Sequence, residues 1–107
     1  VLQVHMAESV EEYLVQLVLA TRNTKAYGGD LADWLDFGAS PRATIALDRC
    51  SRAYAWLNER DFVTPDDIRA VVHDVLRHRL ILSFEAEAAG ISANQVIDQL
   101  LRSVPSA

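Results

Sequence analysis

One hundred and seven residues, half of them hydrophobic, suit one domain that buries an apolar core without disulfides or a structural metal, and are too few for two domains. Fifteen acidic against ten basic residues leave a formal charge of −5 and a pI near 5.0, the wrong balance for a protein whose affinity comes from neutralising phosphate backbones, so nucleic acid is not an expected partner. The single cysteine, Cys50, excludes an intrachain disulfide and a multi-thiolate zinc site, which fits a reducing, cytoplasmic setting.

The apolar runs are short and broken by charge, so no membrane span is expected, and the first residues have neither the basic nor the apolar part of a signal peptide. A start at Val1 rather than at methionine is what a piece of a longer protein would show. In chain order, Ser9 with Glu12 reads as a capping box opening a first helix over about 10–22, with Val10, Tyr13, Leu14, Leu17, Val18 and Thr21 on one face. Residues 23–39 contain Gly28-Gly29-Asp30 and no long apolar period, and so read as a long loop of the functional or mobile kind. Inside it, residues 34–37 make a candidate strand with residues 79–84 as partner, although Ile81 to Ala89 reads equally well as helix.

Ser40 then Pro41 supplies an N-cap and a first-turn proline for a second helix ending near Asn58, with Ala43, Ala46, Leu47, Cys50, Ala53, Tyr54 and Leu57 as its apolar stripe. Thr64-Pro65-Asp66-Asp67 repeats the device, with acids at the positive end of a third helix that turns Ile68, Val71, Val72, Val75 and Leu76 inward. Gly90 marks a break, and Ser92 with Gln95 caps a fourth helix carrying Val96, Ile97, Leu100, Leu101 and Val104 until Pro105 stops it. The expected class is all-α, a small four-helix bundle with at most a short two-stranded pairing.

Several constellations reduce to packing or solvation. His73 and His78 are five residues apart, about 140° round a helix, with no third ligand at helical spacing, so no metal is expected. Asp30, Asp33 and Asp36 lack the spacing and terminal glutamate of a calcium loop and read as a solvated face. Cys50, in the middle of an apolar stripe, reads as core rather than as a nucleophile. Ser40 lacks a His and Asp context and reads as a cap.

Arg42 reads differently. It puts a cation at the positive end of a helix dipole, which is unfavourable by about 0.3–1 kcal/mol unless something offsets it. A phosphate would, since free backbone N–H groups and a guanidinium fork can converge on one anion; a pairing with Asp33 or Asp36 would serve equally. On the same helix Arg42, Ile45, Arg49, Arg52, Trp56 and Arg60 fall within about 80° of one another, a face fit to dock on another domain or simply to be solvated. There is no G-x-x-x-x-G-K-[ST] loop, and Lys25, the only lysine, has no glycine before it, so this chain does not cradle and hydrolyse a nucleotide alone.

Gly38-Ala39-Ser40-Pro41-Arg42-Ala43, then Arg60-Asp61-Phe62-Val63-Thr64-Pro65-Asp66-Asp67-Ile68, then Val75-Leu76-Arg77-His78-Arg79-Leu80, resemble the C-terminal helical lid of MoxR-type AAA+ ATPases, relatives of the magnesium-chelatase ATPase subunit. The Tyr13, Leu17-Val18, Ala20-Thr21-Arg22 run and the segment from Gly90 to Pro105 match as well, so the resemblance covers nearly the whole chain. It implies a lid domain over residues 1–107, with 1–8 as an inter-domain linker, following a core domain that binds ATP and Mg2+. It implies that Arg42, presented by Ser40 and Pro41, is the sensor-2 arginine reaching the γ-phosphate. It also implies a ring, usually hexameric, with a chaperone-like role in assembling metalloenzymes or other complexes, often beside a von Willebrand factor A domain protein. No motif of that family matches the loop at 23–36, and the Walker motifs are absent, as truncation would leave them. Two other readings stand beside it: a free-standing, histone-fold-like interaction module, and a helix-turn-helix DNA binder, which the acidic charge opposes.

Overall fold

The computed structural model describes residues 4–27 and 31–105, and of Tyr27 the backbone alone. The chain runs through α1 (Glu8–Arg22), a 3-10 turn (Thr24–Tyr27), α2 (Leu31–Trp34), β1 (Leu35–Phe37), α3 (Arg42–Leu57), α4 (Pro65–Leu76), β2 (Ile81–Leu82), α5 (Phe84–Ala88) and α6 (Ala93–Ser103). Helices α1, α3, α4 and α6 form the expected bundle round one apolar core, centred on Leu14, Leu17, Leu47, Ile68, Leu76, Ile97 and Leu100.

The helices differ in how they begin. At α4 the Thr64 hydroxyl accepts from the Asp67 N–H while the Asp67 carboxylate accepts from the Thr64 N–H, and at α6 Ser92 and Gln95 exchange the same pair of bonds. The box expected at Ser9 does not form. Helix α1 starts at Glu8, so Ser9 already lies inside the first turn, and it is the Ala7 carbonyl that takes the Val10 and Glu11 N–H groups at 3.0 and 2.9 Å. Glu8 and Glu11 face the positive end of the helix in place of a side-chain cap.

Helix α3 corrects the expected stripe. Its buried residues are Ala43, Leu47, Ser51 and Ala55, a four-residue repeat, whereas Cys50, Tyr54 and Leu57 are exposed. The helix packs chiefly on α4, and a row of mostly small side chains at i, i+4 spacing lets the two backbones approach. Bulk on the neighbouring row stays outside. Ser51 is tolerated in the core because its hydroxyl donates to the Leu47 carbonyl at 2.6 Å.

The expected loop at 23–39 holds structure of its own: the 3-10 turn, α2 and β1. Gly28, Gly29 and Asp30 lie outside the described residues. Leu31 is fully buried and Trp34 half-buried, which anchors this segment to the core. Strands β1 and β2 pair antiparallel, Leu35 opposite Leu82 and Phe37 opposite Ile81, with an irregularity between. Residues 79–89 divide between strand and helix: β2 lasts two residues, and Ser83 then caps α5 by accepting from the Ala86 N–H at 3.0 Å. The pairing is shorter than expected at both ends, since Trp34 belongs to α2 and Phe84 to α5.

The corner between α3 and α4 is tightly specified. Glu59 adopts φ 62°, in the left-handed region, and two cap bonds close the helix, Glu59 N–H to the Trp56 carbonyl and Arg60 N–H to the Ala55 carbonyl, both 3.0 Å. Arg60 then turns back to grip Asp67 with two bonds of 2.7 and 2.5 Å, and Asp67 is only 2% exposed. Residues 4–6 dock on the same corner: the His5 N–H donates to the Asp61 carbonyl and the Val63 N–H to the His5 carbonyl, each at 2.8 Å, with Val4 and Met6 buried on either side.

Two outcomes follow for unfolding. Burial pushes the Asp67 carboxyl up, but the Arg60 guanidinium and the Thr64 N–H and hydroxyl outweigh it and hold the pKa below the usual carboxylate value. Its contribution is therefore complete above about pH 4, where the unfolded carboxyl also ionises, and is lost as pH falls toward the lower folded value. Asp67→Ala should lower stability at pH 7 by about 2–4 kcal/mol, through a lost cap and lost charge-assisted bonds, with the difference from wild type narrowing in urea unfolding at pH 3. Glu59→Gly should raise stability by about 0.5–1 kcal/mol, because glycine takes the left-handed angle without a Cβ clash.

Candidate functional site

The site is built where α1 ends and α3 begins. Near the end of α1, Thr21 is 2% exposed; its hydroxyl donates to the Val18 carbonyl at 2.6 Å and accepts the Ala39 N–H at 2.9 Å. Gly38 lies so close that a Cβ there would stand 2.0 Å from the Thr21 carbonyl oxygen, which only a glycine avoids. Beside this contact opens a cleft of about 270 Å3 lined by Thr21, Arg22, Thr24, Asp36, Phe37 and Gly38.

Beyond Ala39, which is fully buried, the chain surfaces at Ser40, Pro41 and Arg42 and dives again at Ala43. Pro41 already has helical angles, φ −56° and ψ −23°, and stands just ahead of α3. The expected hydroxyl cap from Ser40 is not made; its carbonyl takes the Ala43 N–H at 2.9 Å instead, and the Pro41 carbonyl takes that of Thr44 at 3.1 Å. The residue that stands directly ahead of α3 is Pro41, which has no hydroxyl to offer.

Arg42 is thus the first residue of α3 and is exposed. It pairs with neither Asp33 nor Asp36, both exposed, and has no ion pair or side-chain hydrogen bond with any described residue. No acid lies in the first turn of α3, so among the described residues nothing offsets the cation at the positive helix end. An exposed guanidinium at a helix N-terminus suits an anion supplied from outside.

The wider face expected on α3 divides. Arg42, Ile45, Arg49 and Trp56 are exposed, Ile45 and Trp56 by 56% each. Arg52 is committed to Asp48 at 2.6 Å and to the Val4 carbonyl, and Arg60 lies past the helix end, held by Asp67 and set 5.9 Å from the Phe62 ring centre. Of the histidines, His73 bonds Asp98 at 2.7 Å, tying α4 to α6, and His78 is exposed beyond the end of α4. Among the described residues no three His, Cys, Asp or Glu side chains are grouped to hold a metal ion. Thr21 and Gly38 are the residues that sequence reasoning missed as parts of this site; the signal was available in the glycine just ahead of Ala-Ser-Pro and in the threonine at the end of the first apolar face.

The AAA lid domain family matches this sequence over residues 32–100. The chain is an AAA lid domain. Its relatives place the lid in the MoxR type: it is 43% identical over 94 residues to "Chaperone MoxR1" of Mycobacterium tuberculosis, covering 87% of this chain and 25% of that protein. It is 38% identical over 84 residues to "Protein MoxR" of Paracoccus denitrificans, covering 74% of this chain and 25% of that one. Among solved structures, a candidate ATPase from Cytophaga hutchinsonii superposes with a TM-score of 0.93 at 46% identity, over 98% of this chain and 32% of that chain. The lid therefore spans only 25% to 32% of the length of these relatives. No helix among its described residues is long and apolar enough to cross a membrane.

The close approach at Gly38 gives a direct check on this architecture. Gly38→Ala should cost about 1–3 kcal/mol, the usual range for forced overpacking, read as a lowered midpoint in thermal or urea unfolding of the lid.

Proposed function

We propose that this MoxR-type lid belongs to an AAA+ ATPase, joined through residues 1–8 to a core domain that binds ATP and Mg2+, and that Arg42 is its sensor-2 arginine. The observation that carries the reading is the state of Arg42: exposed, without a partner among the described residues, at a helix N-terminus that has no acid of its own. A γ-phosphate would meet there a planar fork of donors and the positive end of α3, while Ser40 and Pro41 set the angle at which the helix starts.

In this reading ATP bridges core and lid. Loss of the γ-phosphate on hydrolysis removes the bridge to Arg42, and the lid turns as a rigid body relative to the core. The sequence has no phosphate loop, and among the described residues no group of side chains is placed to hold a metal ion, so in this reading the lid supplies the sensor and the core the chemistry. The ring of subunits, a hexamer, converts that rotation into work on a client in the cytoplasm, a chaperone-like assembly of metalloenzymes or other complexes beside a von Willebrand factor A domain partner. The name of the mycobacterial relative supports the chaperone part. The family match over 32–100 favours this lid over a free-standing histone-fold-like module.

The test is turnover by the complete ATPase. Arg42→Ala should forfeit about 1.5–3 kcal/mol of charge-assisted bonding, roughly 10- to 150-fold in ATP hydrolysis when the contact is strongest in the transition state. Arg42→Lys should recover only part of it. The unfolding midpoint should stay level or rise slightly, since a cation leaves a helix N-terminus. Normal hydrolysis with reduced stability would make Arg42 a structural residue. The lid alone should show no micromolar affinity for ATP in titration calorimetry.

A further inference from the structure

We infer that Thr21 is a positioning residue for Arg42, fixing through the Gly38-Ala39 link the height at which α3 presents its first guanidinium. The inference rests on the sensor reading of Arg42 given above.

Arg42 has no ion pair or side-chain hydrogen bond with a described residue to hold it, so the placement of its head group depends on where the backbone of α3 starts. Ahead of that start the chain is tied to α1 by a buried hydrogen bond. A threonine hydroxyl has one proton, and Thr21 gives it to the Val18 carbonyl within its own helix, so toward the rest of the molecule its oxygen can only accept. What it accepts is the Ala39 N–H, from 18 residues along the chain, at 2.9 Å. Both partners are buried, which makes the bond costly to leave unmade and leaves no water to substitute for it.

Gly38 fixes the second coordinate. Its Cα face lies against the Thr21 backbone, where an added Cβ would meet the carbonyl carbon at 2.4 Å and the Oγ1 at 2.7 Å. The hydroxyl sets the register of the link along α1, and the missing side chain sets its distance from α1. Ala43, fully buried, closes the exposed stretch on its far side, so Ser40, Pro41 and Arg42 form a short arch between two fixed feet. A slip of one foot moves Arg42 with little change to the core beneath.

The experiment is a double-mutant cycle in the complete ATPase with Thr21→Val, Thr21→Ser, Arg42→Ala and the Thr21→Val/Arg42→Ala pair, reading kcat and KM for ATP together with the unfolding midpoint of each variant. Thr21→Val keeps the shape and removes the hydroxyl; it should lower kcat about tenfold, in the direction of Arg42→Ala, because a misplaced charge loses most of its value. Thr21→Ser, which keeps the hydroxyl, should stay within about twofold of wild type. In the Arg42→Ala background Thr21→Val should cost less than about twofold more, since residues acting through one contact are not additive. Equal losses from Thr21→Val with and without Arg42 would overturn the positioning role, as would unchanged kcat in a folded Thr21→Val protein while Arg42→Ala is impaired. Unchanged kcat in Arg42→Ala would instead overturn the sensor reading, and the positioning role with it. Should Thr21→Val fail to fold, Gly38→Ala takes its place in the cycle with the same expected outcomes.

Discussion

Asp67 carries a negative charge into the corner between α3 and α4, and the corner is arranged to satisfy it. Two guanidinium nitrogens of Arg60 and the Thr64 N–H converge on its two oxygens. A buried carboxylate without such partners would have to protonate or unfold the region, so each donor constrains the backbone that carries it. Arg60 must turn back after α3, which the left-handed Glu59 allows, and Thr64 must start α4 at a fixed angle. The angle between the two main helices of the lid is therefore set by electrostatics at their shared corner as much as by the apolar surface between them.

The other end of α3 is held by different means. There the constraint is a close approach, with a glycine against a helix terminus and one hydroxyl acting as the acceptor. A helix fixed at one end by charge and at the other by shape has little freedom to tilt within its domain. Whatever acts on Arg42 then acts on the lid as a body, which is the property that a nucleotide-dependent rotation needs.

Much of this was legible in the sequence where a local signal sufficed. Thr64-Pro65-Asp66-Asp67 and Ser92 with Gln95 announce their helices because both halves of the capping box are side chains close in sequence. Ser9 with Glu12 has the same spelling and fails, because Ala7, a residue with no capping side chain, opens α1 two residues earlier. The stripe of α3 was misread for a related reason. Burial there follows the four-residue row Ala43, Leu47, Ser51 and Ala55, so Ser51 goes in and Cys50, Tyr54 and Leu57 stay out. Short α2 and the two-residue strand β2 are too brief to have a period at all, and exist through tertiary contacts such as Leu31 in the core and the Ser83 N–H bonded to the Trp34 carbonyl at 2.8 Å. Of the site, the sequence shows Arg42 and its proline; it hides the partnership of Thr21 with Ala39, since nothing local links residues so far apart.

The docking of residues 4–6 has a mechanical side. His5 is bonded in parallel fashion beside Phe62, and Arg52 in the middle of α3 reaches the Val4 carbonyl. Tension entering the chain at Val4 is thus shared with Asp61 and Val63 before it reaches the first turn of α1, and with α3 through Arg52. The segment behaves as a bracket rather than a tether. A torque delivered along it would load the helix that ends in the Asp67 corner, so strain entering at Val4 would reach the rod whose first residue is Arg42.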